Sequence, residues 1–173
     1  MTNKIPHIRV EIDAIDSQLL ELFLKRYLLV EEVGKIKNLK NSKKSIISGD
    51  REKSMLANIL KEYDVKIKNY HFDDVAKLRE NIFLLFRSII SAGISLEQNS
   101  KVLLINEEGL INTVAKVFGG FIPLKLFSNY TDLFTYHQKA KHNTIIAQKI
   151  GENHNNSVSK FFEYEGLEFF TTL

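Results

Sequence analysis

Along the first forty residues apolar side chains recur at Ile8, Ile12, Ile15, Leu19, Leu22, Leu29, Val33 and Ile36, with no proline inside the run. That spacing is helical. It predicts one helix over about residues 7–39, with Pro6 at a first-turn position where proline is tolerated. Such a helix is roughly 50 Å long. It cannot bury its stripe against two shorter partners, so the pattern implies a coiled or intertwined neighbour. NSKKSIISGD (41–50) reads as a loop with Ser48 or Asp50 as the cap of a second helix. That helix covers about 51–63, with Met55, Leu56, Ile59 and Leu60 on one face. After the connector DVKIKNYHF a third helix starts near Asp74, another capping residue. It runs through Leu78, Ile82, Phe83, Leu85, Phe86, Ile89 and Ile90 to about Glu97.

After the polar break QNSK (98–101) the period changes. KVLLI (101–105), IPLKLF (122–127) and NTIIAQKI (143–150) read as short buried strands. LINTVAKVF (110–118), stopped by Gly119-Gly120, and YTDLFTYHQKA (130–140) read as helices between them. Strands alternating with helices at this spacing predict a small parallel α/β unit of βαβαβ type. The tail FFEYEGLEFFTTL is aromatic and β-prone. The fold class expected is therefore an all-α three-helix domain over 1–98 followed by a small α/β domain over 101–173. Gly and Pro agree, since residues 1–100 hold three glycines and one proline against five and one in the shorter remainder.

Composition narrows the function classes. The formal charge is +3 and the basic residues form no single stripe, so no nucleic-acid partner is expected. The absence of cysteine excludes disulfides, thiolate metal sites and a cysteine nucleophile. The N-terminus is too polar for a signal peptide and no run has the length of a membrane span, which gives a soluble, cytoplasmic expectation. Histidines 7, 71, 137, 142 and 154 show no metal-ligand spacing, and His137 and His142 are read as surface residues. No G-x-S-x-G elbow, P-loop or G-x-G-x-x-G is present, and no metal or cofactor is expected.

On the first helix Arg26 and Lys37 are eleven residues apart, about three turns plus 20°, so they share a face roughly 16 Å apart. Two long cations on one face can converge on a small dianion. Arg9 is seventeen residues before Arg26, on a different face and about 25 Å away, so it would have to serve a partner's site. Any one such cation on a long helix is ordinarily solvated or ion-paired. The whole pattern carries the argument instead.

The run IRVEIDAIDSQLLELFLKRYLLVEEVGKIK, followed by DREKSML, resembles the all-helical class of chorismate mutases over about residues 5–98. The resemblance implies an intertwined homodimer of three-helix protomers with active sites shared between them. It implies conversion of chorismate to prephenate in phenylalanine and tyrosine biosynthesis, a unimolecular rearrangement that needs no nucleophile, metal or cofactor. Matched to the family motif, Arg26 would hold one carboxylate and the other protomer's Arg9 the second. Lys37 would donate to the ether oxygen, Arg51 would support the site, and Glu52 would accept from the substrate hydroxyl.

The third helix departs from the family pattern. Gly93 and Glu97 stand where the family places Ser and Gln, although a one-residue slip would bring Gln98 to the second place. Ser48 lies near the position of a family Asp. A carboxylate at 97 repels charge building on the ether oxygen when ionised and donates a hydrogen bond when protonated, so activity is expected to favour acidic pH. A flat rate from about pH 5 to 8 would count against this.

The segment KVLLINEEGLINTVAKVFGG…LFSNYTDLF faintly resembles the opening of the prephenate dehydratase fold, with NEEG (106–109) at its turn. It lacks the signatures of that chemistry and reads as a non-catalytic half-domain. Two alternative functions stay open: an isochorismate-pyruvate lyase using the same cations, and a non-catalytic regulatory subunit.

Overall fold

The computed structural model describes residues 4–39, 49–97, 100–140, 144–152 and 158–172. The first helix, α1 (Ile5–Leu39), is a single span with no interior proline. Exposed Glu21–Lys25 and Glu31–Lys35 pairs at i,i+4, each with the acid N-terminal, support it at 2.7 and 2.8 Å. The second, α2 (Gly49–Lys66), begins two residues before the expected start and continues into a 3₁₀ turn, Ile67–Asn69. Of its two expected caps, Asp50 falls inside the helix and Ser48 lies outside the described residues. The third, α3 (Val75–Glu97), is capped as expected, Asp74 Oδ1 accepting from the Lys77 amide at 2.8 Å.

The remaining elements are β1 (Lys101–Ile105), α4 (Glu108–Phe118), β2 (Leu124–Phe127), α5 (Tyr130–Ala140), β3 (Thr144–Lys149), β4 (Val158–Tyr164) and β5 (Leu167–Thr172). They form one five-stranded sheet in the order β2-β1-β3-β5-β4. The expected parallel unit is present, with β1 parallel to both β2 and β3. The tail makes the sheet mixed, because β5 runs antiparallel to β3 and pairs with β4 in a hairpin. Its two-residue turn, Glu165-Gly166, has both residues at positive φ, the geometry that matches strand twist in a hairpin.

Alternation along the strands sets the layers. Leu103, Ile146 and Phe170 face α5 and pack with Leu133. Val102, Leu104, Ile145, Ala147, Leu167 and Phe169 face the other way, toward α4. That second core does not stop at the sheet unit. Leu56 of α2 and Ile90 and Ile94 of α3 belong to it, so residues 98–101 mark a change of secondary-structure class within a continuous core. His137 corrects the surface reading. It is 3 % exposed, because it lies one turn after Leu133 on the inward face of α5, and its Nδ1 sits 2.6 Å from Thr144 Oγ1. His142 lies outside the described residues.

The helix α1 is different. Every residue from Ile5 to Leu22 is exposed, a projection of about 27 Å. Its C-terminal half rests on α3 through the partly or fully covered Phe23, Arg26, Tyr27, Val30, Gly34 and Lys37. The predicted stripe remains in water: Ile8, Ile12, Ile15, Leu19, Leu22, Leu29, Val33 and Ile36 are all 44–63 % exposed.

Candidate active site

Stripe positions 8, 12, 15, 19, 22, 29, 33 and 36 fall on an alternating spacing of four and three, the seam of a helix pair, and the one vacant seam position is occupied by Arg26. By helical phase the α3-facing side of α1 lies about 70° round from the seam. Arg26 and Lys37 fall between the two and are half-buried. A cation in that position is partly desolvated within one chain and would be more so once the seam is covered. It therefore needs anionic or carbonyl partners.

One partner is already present. The Arg26 guanidinium donates to the Ile89 carbonyl at 3.2 Å. Space for it comes from Gly93, one turn further along α3. A Cβ there would stand 3.2 Å from Arg26 Nη1, and 3.5 and 3.6 Å from the Val30 methyls. So Gly93 removes the hydroxyl donor expected from the family pattern but lets the guanidinium lie against the backbone of α3. Arg9 is exposed in the projecting part of α1, away from this corner, as its helical phase predicts.

Successive residues on α2 point about 100° apart, and the DRE sequence is split accordingly. Arg51 is exposed and lines a shallow depression with Ser54, Met55, Asn58, Ile59 and Glu62. Glu52 turns inward, 8 % exposed, and its Oε2 accepts from Arg87 Nη1 at 2.6 Å. Arg87 is fully buried, with its guanidinium 4.9 Å from the Phe118 ring centroid and 5.1 Å from that of Phe162. On α3, Arg87 and Gly93 are about a third of a turn and roughly 9 Å apart, so the Arg26 and Glu52 contacts occupy adjoining sides of one helix.

The structure thus brings Arg26 and Gly93 together, puts Lys37 on the Arg26 side of α1, and engages Glu52 from α3. Glu97 closes α3, but its side chain, Gln98 and Ser48 lie outside the described residues. Arg87 was missed by the sequence reading. A signal existed: it is the sole charge between Asn81 and Leu96, in an otherwise neutral stretch of α3.

Toward the N-terminal end of α3 a polar strap ties it to the sheet unit. Lys116 Nζ contacts Glu165 at 2.6 Å and Glu80 at 3.2 Å, and the Tyr164 hydroxyl donates to Glu80 at 3.0 Å. The Tyr164 hydroxyl and Lys116 hold the Glu80 carboxyl below its usual range, while Glu165 first, then Tyr164 and Glu80, push the Lys116 ammonium up. A second polar cluster lies at the carboxyl ends of the parallel strands, where Tyr130 donates to Glu152 and Lys149 pairs with Glu107. Burial foremost, then Glu152, pushes the Tyr130 hydroxyl up. These groups are satisfied by one another. Among the described residues no helix is long and apolar enough to cross a membrane.

Compared with known families, residues 8–98 match the model for chorismate mutase type II, and the match says nothing of residues 101–173 or of a dehydratase likeness there. No curated protein and no solved structure matches the chain. The matched stretch covers just over half of the chain and spans all three helices, including Arg26, Lys37, Arg51, Glu52 and Gly93. The chain belongs to the chorismate mutase type II family, a family of isomerases.

Proposed function

We propose that this chain rearranges chorismate to prephenate in phenylalanine and tyrosine biosynthesis, as a cytoplasmic homodimer with sites shared between protomers. The observation that carries the reading is Arg26, a half-buried cation set in an otherwise apolar seam and bonded to the Ile89 carbonyl of α3 in the space Gly93 leaves, with Lys37 on the same side. The reaction breaks an ether C–O bond as a C–C bond forms within one molecule. The protein's part is to fold a dianion into the reactive conformer and to place donors where negative charge builds. Arginine's planar fork suits a carboxylate, and lysine's compact ammonium suits the ether oxygen.

Geometry explains why the unit would be a dimer. Two α1 helices packed antiparallel about a dyad near Leu20 put the partner's Arg9 level with Glu31, between Arg26 and Lys37. The same pairing covers the apolar stripe that the single chain leaves in water. In this reading Arg51 supports the site, Glu52 receives the substrate hydroxyl, and either Glu97, when protonated, or Gln98 supplies the donor for the ether oxygen.

The test is chorismate consumption with identification of the product. Prephenate is expected, while pyruvate with a salicylate would indicate a lyase and no turnover a regulatory subunit. Arg26→Ala should lower kcat/KM by about 10²–10³-fold with the fold retained by circular dichroism. Undiminished turnover would remove Arg26 from the site.

A further inference from the structure

The geometry points to Arg87 as a positioning residue for Glu52, held in place by the α/β unit, so that residues beyond the family-matched segment form part of the working site. This inference rests on the reading of Glu52 as the acceptor for the substrate hydroxyl.

Arg87 is fully buried on a neutral stretch of α3, and the side-chain partner of its Nη1 is Glu52, at 2.6 Å. A buried ion pair is weak evidence for stability, since apolar side chains of the same volume commonly serve as well or better. What such a pair does supply is orientation: a planar guanidinium fixes the direction of the carboxylate it binds. The guanidinium is itself fixed from outside the helical region. Phe118 closes α4 and Phe162 lies in β4, and both rings lie within cation–π reach of it.

Those walls are docked closely. Directly after Phe118, Gly119 adopts φ 60°, and a Cβ there would stand 2.7 Å from Ser88 Oγ, next to Arg87 on α3. Any other residue there would be strained by the left-handed φ and would push the Ser88 hydroxyl aside. On the other side Phe83 of α3 stacks on Phe162 and Tyr164, with centroids 5.8 and 5.4 Å away. The chain of contact therefore runs from the sheet unit through two rings to Arg87, and from Arg87 to Glu52. Loosening either ring should free the carboxylate to turn, and a misplacement of about 1 Å in a preorganised site costs up to about 100-fold in rate.

The test is a double-mutant cycle on the full chain, with kcat and KM measured for wild type, Arg87→Met, Glu52→Gln and the double variant, each checked for fold by circular dichroism. Arg87→Met is expected to lower kcat about tenfold or more, and to cost nothing further in the Glu52→Gln background. Equal loss in both backgrounds would mean that Arg87 acts through the fold alone and would overturn the inference. If Arg87→Met does not fold, Arg87→Lys and Phe162→Leu replace it in the same cycle. Each is expected to lower kcat severalfold only when Glu52 is present. Full activity in Glu52→Gln, in an enzyme that still requires Arg26, would overturn this inference and leave the mutase reading intact. A wild-type chain without chorismate turnover would overturn the mutase reading itself.

Discussion

At the scale of single residues, Gly93 is where sequence and space trade against each other. The family pattern puts a hydroxyl donor there, and its loss looks like a weakened site. In the folded chain the missing Cβ is what admits Arg26 to the backbone of α3. Gly93→Ala should therefore move the guanidinium by a few tenths of an ångström and lower kcat/KM by up to about tenfold, with little change in melting temperature. Steady-state kinetics beside a thermal melt would check it, and unchanged kinetics would separate Gly93 from the site. His137 makes a different prediction. Burial holds its imidazole below the ordinary value, so the folded chain takes up that proton at lower pH than the unfolded chain does. As pH falls through the ordinary histidine value near 6.5, the unfolded chain binds more protons and stability declines. Between about pH 7 and 5 the melting temperature should fall, and His137→Asn should flatten that part of the curve.

At the scale of elements, α1 is a helix only half provided for by its own chain. Its C-terminal half has α3 to rest on. Its N-terminal half, residues 5–22, is exposed throughout. Burying a leucine or isoleucine is worth roughly 1.5–3 kcal/mol, so eight seam residues left in water amount to a strong drive toward association. Leu19→Asp, placed beside the proposed dyad, should shift the protein from dimer to monomer in sedimentation velocity. Turnover should fall with it, because Arg9 would no longer reach the second protomer's site. A monomeric wild type would contradict the pairing, and a monomer with full turnover would contradict the shared site. The other helices need no such partner, since α2 and α3 both bury residues against the sheet unit.

At the scale of the whole molecule, the family-matched segment and the sheet unit are not separable by the core they share. Leu56, Ile90 and Ile94 pack in one cluster with Val102, Leu104, Val114, Phe118 and Phe169. Ending the chain after residue 99 would expose that surface and strip the rings from buried Arg87, leaving it and Glu52 partly in water. The truncated helical segment should melt well below the full chain and lose most of its turnover. Far-UV circular dichroism with an activity assay would check both, and a fully stable, fully active segment would show that the sheet unit is dispensable.

The sequence by itself determined most of the element order. Periodicity located all three long helices and the parallel strand–helix alternation to within a few residues, and helical phase separated Arg9 from Arg26 and Lys37. These features are local, set by side-chain spacing along one element, and local spacing is what a sequence displays. Tertiary structure decided the rest. Alternation within KVLLI and NTIIAQK does not say that the aromatic tail closes the sheet as an antiparallel hairpin, because strand pairing joins residues far apart in the chain. Nor does it say that Arg87 would reach Glu52, thirty-five positions earlier, between two rings supplied by α4 and β4. The partnership of a buried charge depends on what the rest of the fold brings to it, and only the packed molecule shows that two rings of the sheet unit flank Arg87.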